Sequence, residues 1–173
     1  MVPLRGPTIP RQGSHLMTTA DVTIRRGAAG DLTAIVDLNT AMAVEMKSKV
    51  VSSTRLRDGV TAVLGSSNLG FYVLADSGGT VLGVLHVIPE WNPWRNGYFW
   101  KVENVFVSRE WRRKGVYRAM HDYVVDSARG EADVCGIRLF AVETNVGARR
   151  AYEDAGMTQE PCRLFEIDFV FGD

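Results

Sequence analysis

Cysteine is scarce in this chain: Cys135 and Cys162 are the only two among 173 residues. They do not form a C-x-x-C pair, and the N-terminal residues lack the apolar core of a secretory leader. A disulfide scaffold is therefore not expected, and reduced thiols in a cytoplasmic protein are. Cys135 opens an apolar run and reads as a core residue. Histidine is as rare, with His15, His86 and His121. None has a ligand partner at metal-binding spacing, so no metal site is expected, and His86 and His121 read as structural or exposed. No apolar run approaches the ~20 residues that a membrane span requires. An excess of either charge is also missing, with 20 basic and 20 acidic residues.

The first seventeen residues contain three of the six prolines and no acid, and they end in G-S-H-L-M, which resembles an expression-vector scar. We set residues 1–17 apart as a tag and read residues 18–173 as one domain. Without the tag's two arginines, 18 basic and 20 acidic residues remain, which argues against bulk nucleic-acid or anionic-membrane binding. Two phosphate motifs are absent: there is no G-x-x-x-x-G-K-[ST] and no G-x-G-x-x-G after a strand.

What is present is organised around Val102–Tyr123. Val102, Val105, Phe106 and Val107 form a β-branched and aromatic run that reads as a buried strand. Ser108 to Trp111 break it. Arg112, Arg113, Lys114 and Gly115 then lead into a segment whose Val116, Met120, Tyr123 and Val124 fall at helical spacing. A helix N-terminus offers unpaired N–H groups and the positive end of a dipole. Three cations and a glycine that permits close backbone approach add to this, and the expected guest is a phosphate or pyrophosphate.

The remaining chain reads as alternating elements. Val22–Arg25 is a short strand. Asp31 caps a helix running to about Lys49, Ser52–Thr54 cap a second helix closed by Gly65, and Gly70–Ala75 is the next strand. A hairpin turn at Asp76–Gly79 leads to a strand over Thr80–Ile88. A loop holding Trp91 and Trp94 then precedes the strand Tyr98–Val107. Polar Glu103 and Asn104 interrupt that strand, which fits either a β-bulge or an edge feature. Val134–Val142 has few polar interruptions and reads as a central strand buried on both faces. The helix before it makes a β-α-β crossover, so these two strands should be parallel. Asn145 reads as the cap of a short helix with Ala148, Ala151, Tyr152 and Ala155 on its buried face and Gly156 at its end. Arg163–Phe171 reads as a final strand.

Two of these stretches carry a family resemblance. R-x-x-G over Arg112 and Gly115 resembles the pyrophosphate motif Q/R-x-x-G-x-G/A of the GNAT N-acetyltransferases, with a departure at Tyr117. N-x-x-A-x-x-x-Y followed by E-x-x-G over Asn145, Ala148, Tyr152 and Gly156 resembles the second motif of the same superfamily. The resemblance spans roughly Thr23 to the C-terminus. It implies an α/β (α+β) fold with a mixed, mostly antiparallel sheet, a parallel strand pair at the cofactor site, and flanking helices. It also implies a bulge in the fourth strand and acetyl transfer from acetyl-CoA to an amine. Under it, Arg112, Arg113, Lys114, Gly115, Val116, Tyr117 and Arg118 hold the pyrophosphate, while Val105, Phe106 and Val107 pair with pantetheine. Asn145 and Ala148 contact the cofactor, Glu103 is the base, and Tyr152 is the acid toward the leaving thiolate. A phenol of pKa about 10 protonates a thiolate of about 8.5 uphill by roughly 2 kcal/mol, so the site must perturb one group or use the hydroxyl mainly as a hydrogen-bond donor.

At Tyr117 a bulky side chain either crowds the pyrophosphate or points along the helix away from it, and we expect the second. Trp91, Trp94 and Trp100, with Glu45 and Glu90, suit a cationic amine, although hairpin packing explains the tryptophans equally well. A non-catalytic acyl-CoA-binding module is the alternative function, the acceptor is a small molecule or peptide, and a homodimer is left open.

Overall fold

The computed structural model describes residues 21–46 and 52–170. The expected tag, the extension of the first helix to Lys49 and the end of the last strand at Phe171 lie outside the described residues. The elements in order are β1 (Thr23–Arg26), α1 (Leu32–Glu45), α2 (Ser53–Gly65), β2 (Phe71–Ser77), β3 (Thr80–Asn92), β4 (Gly97–Val107), α3 (Val116–Arg129), β5 (Val134–Leu139) and α4 (Val146–Asp154).

The strands form one sheet in the order β1-β2-β3-β4-β5. The first four pair antiparallel, and β4 pairs parallel with β5 across the α3 crossover. The β2–β3 hairpin closes on Gly78 and Gly79, whose φ of 59° and 84° give the twist that a two-residue hairpin needs. Each face of the sheet has its own core. On one face, Val116, Met120 and Val124 of α3 lie at helical spacing and pack with Val87, Trp100, Val102 and Trp111. On the other, Ile35 and Leu38 of α1 and Val60 of α2 pack with Tyr72, Leu74, Val84 and Phe106. The two-period of each strand thus sends alternate residues into the two cores.

Several boundaries differ from the sequence reading. The segment Pro89–Gly97 is largely strand, because β3 and β4 stay in register from Asn92↔Gly97 inward, and only residues 93–96 form the turn. Ser52 caps α2 as expected, accepting from the Arg55 N–H at 3.5 Å. Asp31 occupies the N-cap position of α1, but its side chain makes no cap bond there. Its carboxylate instead takes the Ala28 N–H at 2.8 Å and bonds Arg25. The strand β5 ends at Leu139 rather than Val142, and every residue of it is half-buried. Among the described residues it lies at the edge of the sheet, not at its centre, because residues 163–170 form no strand beside it. That segment bends at residues 169–170, where Asp168 accepts the Val170 N–H at 2.7 Å, and it leaves Phe165 90% and Phe169 93% exposed. Cys135 is only half-buried for the same reason.

Arg25 ties β1 to two other elements, donating to Asp31 at 2.8 Å and to Asp76 at 2.9 Å. The Arg25 guanidinium holds the Asp31 carboxyl below its usual range. A depressed carboxyl stabilises the fold above the ordinary carboxylate range and loses that stabilisation as pH falls through its folded value. Arg25→Met is therefore expected to destabilise the protein by about 1 kcal/mol at neutral pH. Its stability should also fall less than wild type on acidification from pH ~5 to ~2. Urea unfolding at several pH values checks both.

Candidate active site

The site begins where two strands separate. β4 and β5 pair through Val102↔Leu139 and no further. Just beyond, three steps of β4 from Glu103 to Phe106 oppose two steps of β3 from His86 to Val84, and Asn104 takes φ 52°. This is the bulge that the polar interruption suggested. It re-aims β4 away from β5, so that Val105, Phe106 and Val107 face no β5 partner on that side. One main-chain group there is already engaged: Val107 C=O accepts from Arg112 Nε at 2.7 Å.

The turn after β4 supplies the next wall. Arg113 has φ 60° and Gly115 has φ 79°, and α3 starts at Val116. The Ala119 N–H makes a helical bond to Gly115 C=O at 3.0 Å, so the N–H groups of Val116, Tyr117 and Arg118 precede the helical ladder. A Cβ on Gly115 would meet no heavy atom within 4 Å, so the backbone at this point is open to a ligand.

The cations around the turn are not equivalent. The Arg112 guanidinium forks onto Glu45 of α1 at 2.7 and 2.9 Å. Glu45 also accepts from Arg109 at 3.4 Å. Arg118 bonds Asp122 at 2.9 Å and the Asp154 carbonyl at 2.7 Å, which fastens α3 to the end of α4. The head groups of Arg112 and Arg118 thus serve as ties between elements, and these two residues offer the turn their backbone. Lys114 lies over the Trp111 ring at 4.8 Å, and Arg113 is exposed.

The helix α4 forms the third wall. Asn145 Oδ1 caps it by accepting the Ala148 N–H at 3.1 Å. Ala148, Ala151, Tyr152 and Ala155 share one half-buried face, as their spacing predicts. Tyr152 meets Tyr117 edge to face at 5.4 Å. The Tyr117 ring packs on the core beneath α3 as well as against Tyr152. It stands in the first turn of α3 directly against Tyr152, 5.9 Å from the His121 ring, with its hydroxyl buried and without a partner among the described residues. Burial pushes both phenols above their ordinary pKa. Tyr152 consequently stays protonated across the neutral range, as a hydrogen-bond donor must. Tyr117→Gly is expected to cost about 1 kcal/mol or more of stability through lost packing and helix propensity. Acetyl-CoA affinity should stay within a few-fold of wild type, as thermal melts and calorimetric titration will check.

On the α1/α2 side of the bulge lies a cavity of about 290 Å³, bounded by Asn39, Leu56, Val60, Tyr72, His86 and Asn104. Glu103 stands directly across the strand pair from His86 and is paired with Lys101 Nζ at 2.6 Å. His86, read from sequence as structural or exposed, is 8% exposed and borders this cavity. The aromatic and acidic residues expected to greet an amine are elsewhere. Trp94 is 97% exposed at the far hairpin, and Trp91 packs edge-on to Tyr98, six residues or about 20 Å of strand from the bulge. Trp100 is in the core against Phe71. Glu45 is held by Arg112 and Glu90 by Arg138. Among the described residues, no cluster of three His, Cys, Asp or Glu has the arrangement of a metal site, and no helix is long and apolar enough to cross a membrane.

A sheet split at a bulge, with a glycine turn and a helix N-terminus beside the gap, defines the architecture of an acetyltransferase. The sequence profile of the acetyltransferase (GNAT) family matches residues 36–157, and the chain belongs to that family. A possible acetyltransferase from Clostridium difficile 630 is 28% identical and superposes with a TM-score of 0.78, covering 86% of this chain and 98% of that one. A ribosomal-protein-alanine N-acetyltransferase from Brucella melitensis biovar Abortus 2308 shares the fold at 18% identity and TM-score 0.71, over 86% and 99% of the two chains. An aminoglycoside acetyltransferase from an uncultured soil metagenomic sample does so at 14% and 0.71, over 87% and 97%. No functionally curated protein matches the chain.

Proposed function

We propose that this protein transfers an acetyl group from acetyl-CoA to a primary amine by direct attack, with CoA thiolate as the leaving group. The observation that carries the reading is the divergence of β4 from β5 at the Asn104 bulge, next to the Gly115 turn. The open backbone at Gly115 and the ladder-free N–H groups of Val116, Tyr117 and Arg118 suit a pyrophosphate. Arg113 and Lys114 add positive charge from their side chains, and Arg112 adds its main chain. The Val105 and Phe106 backbone is available for pantetheine and for polarising the thioester carbonyl. Asn145 keeps its amide N–H groups for the same arm while its oxygen caps α4, and Ala148 keeps that wall thin.

Two protons leave the attacking nitrogen. One ends on the CoA sulfur and the other in solvent. Tyr152 is the donor toward sulfur. Glu103, beside the bulge, provides the negative charge that draws an ammonium in and takes its proton, directly or through a neighbour. Holding the amine in the 290 Å³ cavity against the thioester supplies the proximity contribution.

That cavity also favours an enzyme over a non-catalytic acyl-CoA-binding module, which needs no acceptor space. The test is a thiol-detection screen for CoA release with purified protein, acetyl-CoA and a panel of amines, amino acids, peptides and aminoglycosides. Release above the acetyl-CoA hydrolysis rate with at least one amine class is expected. Binding of acetyl-CoA without release by any amine would favour the module.

A further inference from the structure

Two buried polar side chains, Asn39 and His86, face the cavity below the bulge. Asn39 is 5% exposed and spends an Nδ2–H on the Ile35 carbonyl at 2.9 Å, which leaves its Oδ1 as an acceptor. His86 Nε2 lies 3.0 Å from the Leu69 carbonyl. A carbonyl only accepts, so that nitrogen carries the hydrogen, and in the neutral ring Nδ1 is left with the lone pair. Each of these side chains therefore spends a donor on a main-chain carbonyl and keeps an acceptor that an amine can use, beside the Asn104 amide and the Arg55 side chain that also line the cavity. The His86 ring is held in place by Tyr72, stacked on it at 4.8 Å and 29°.

We propose that His86 is the catalytic base, with Nδ1 accepting the proton that the acceptor ammonium must lose and Glu103, directly opposite on β4, stabilising the imidazolium. This rests on the acyl-transfer reading and replaces a direct transfer to Glu103. Glu103 is paired with Lys101 at 2.6 Å, whereas the His86 ring borders the cavity itself. The step balances simply. The ammonium N–H bond breaks, a bond to Nδ1 forms, and the freed nitrogen pair attacks the thioester carbonyl. As the C–S bond breaks, the thiolate takes a proton from Tyr152. The nitrogen's second proton passes to solvent, and solvent restores Tyr152 and His86.

The groups facing His86 are the Tyr72 phenol from β2, Glu103 and its partner Lys101 from β4, Asn39 from α1 and Arg55 from α2, with the Leu69 carbonyl beneath. Burial holds the imidazole below its usual range, while the Leu69 carbonyl and Glu103 pull it up. It therefore stays neutral, and able to accept a proton, throughout the neutral range.

The test uses His86→Gln, whose amide preserves a donor to the Leu69 carbonyl but has no basic nitrogen. Acetylation of propylamine, which is protonated at neutral pH, is compared with that of hydroxylamine, which is not. The variant is expected to lose about 100-fold or more in kcat/KM toward propylamine at pH 7. It should recover toward wild type as pH rises and change less than about threefold toward hydroxylamine. Wild type should show an acid limb in its propylamine profile that the variant lacks. Nitrogen-15 spectra of wild-type imidazoles, with the variant assigning the His86 signals, should show the Nε2–H tautomer. An Nδ1–H tautomer, or equal losses toward both nucleophiles, overturns the assignment while leaving acyl transfer intact. Wild type that binds acetyl-CoA yet acetylates neither nucleophile contradicts the acyl-transfer reading, and the inference falls with it.

Discussion

Replacing Tyr152 with phenylalanine is expected to lower kcat by about 100-fold or more while leaving acetyl-CoA affinity within about threefold of wild type. The substitution removes one oxygen and keeps the ring, so the edge-to-face contact with Tyr117 at 5.4 Å survives and α4 keeps its seat. What is lost is a donor to the departing thiolate, an interaction needed only as the C–S bond breaks, and such a loss falls on kcat rather than on binding. Burial raises the Tyr152 phenol, which makes full proton transfer harder and keeps the hydroxyl in its donor form to higher pH. Wild-type kcat should therefore not decline on the alkaline side until above the ordinary phenol value of about 10. Steady-state kinetics against calorimetric affinity decides the matter. Equal losses in both quantities would make Tyr152 a packing residue.

Gly115→Val should do the opposite and cost the protein most of its acetyl-CoA affinity, about 100-fold or more. The residue sits at φ 79° between the basic turn and α3, a conformation that costs a β-branched side chain of order 1–2 kcal/mol or more. No heavy atom lies within 4 Å of the added Cβ, so the chain still folds. The penalty appears as a distorted turn and as methyl groups standing where a phosphate must approach the backbone. Gly79→Val provides the control. Gly79 has φ 84°, equally open surroundings and a place in the remote β2–β3 hairpin. The two variants should lose similar stability, and only Gly115→Val should lose affinity. Parallel losses of affinity would mean that Gly115 acts through stability alone.

The parts of this site that were legible in the sequence are local ones. A basic turn ending in glycine before an amphipathic run announces a helix N-terminus, and Asn145 three residues before Ala148 announces a cap, because both depend on neighbours along the chain. The interruption at Glu103 and Asn104 left a bulge and an edge feature open, and only the strand register decides for the bulge. What was hidden depends on partners far away. Arg112 read as a phosphate ligand, but its guanidinium meets Glu45, 67 positions earlier. Trp91 and Trp94 looked like an acceptor wall because the end of the hairpin on which they ride was not known. The C-terminal run has the composition of a strand, yet a strand needs a neighbouring strand to take its backbone bonds, and residues 163–170 join no strand ladder. His86 offered no motif at all. Its relevance comes from lying opposite Glu103 and bonding Leu69 in three dimensions.

Titration of the purified protein with acetyl-CoA in the absence of any amine tests the central claim most directly, because it asks only whether the gap between β4 and β5 and the Gly115 turn together receive the cofactor. The account predicts saturable heat at about one equivalent per chain, a raised melting temperature, and loss of both in Gly115→Val. No heat and no thermal shift at millimolar acetyl-CoA would contradict it.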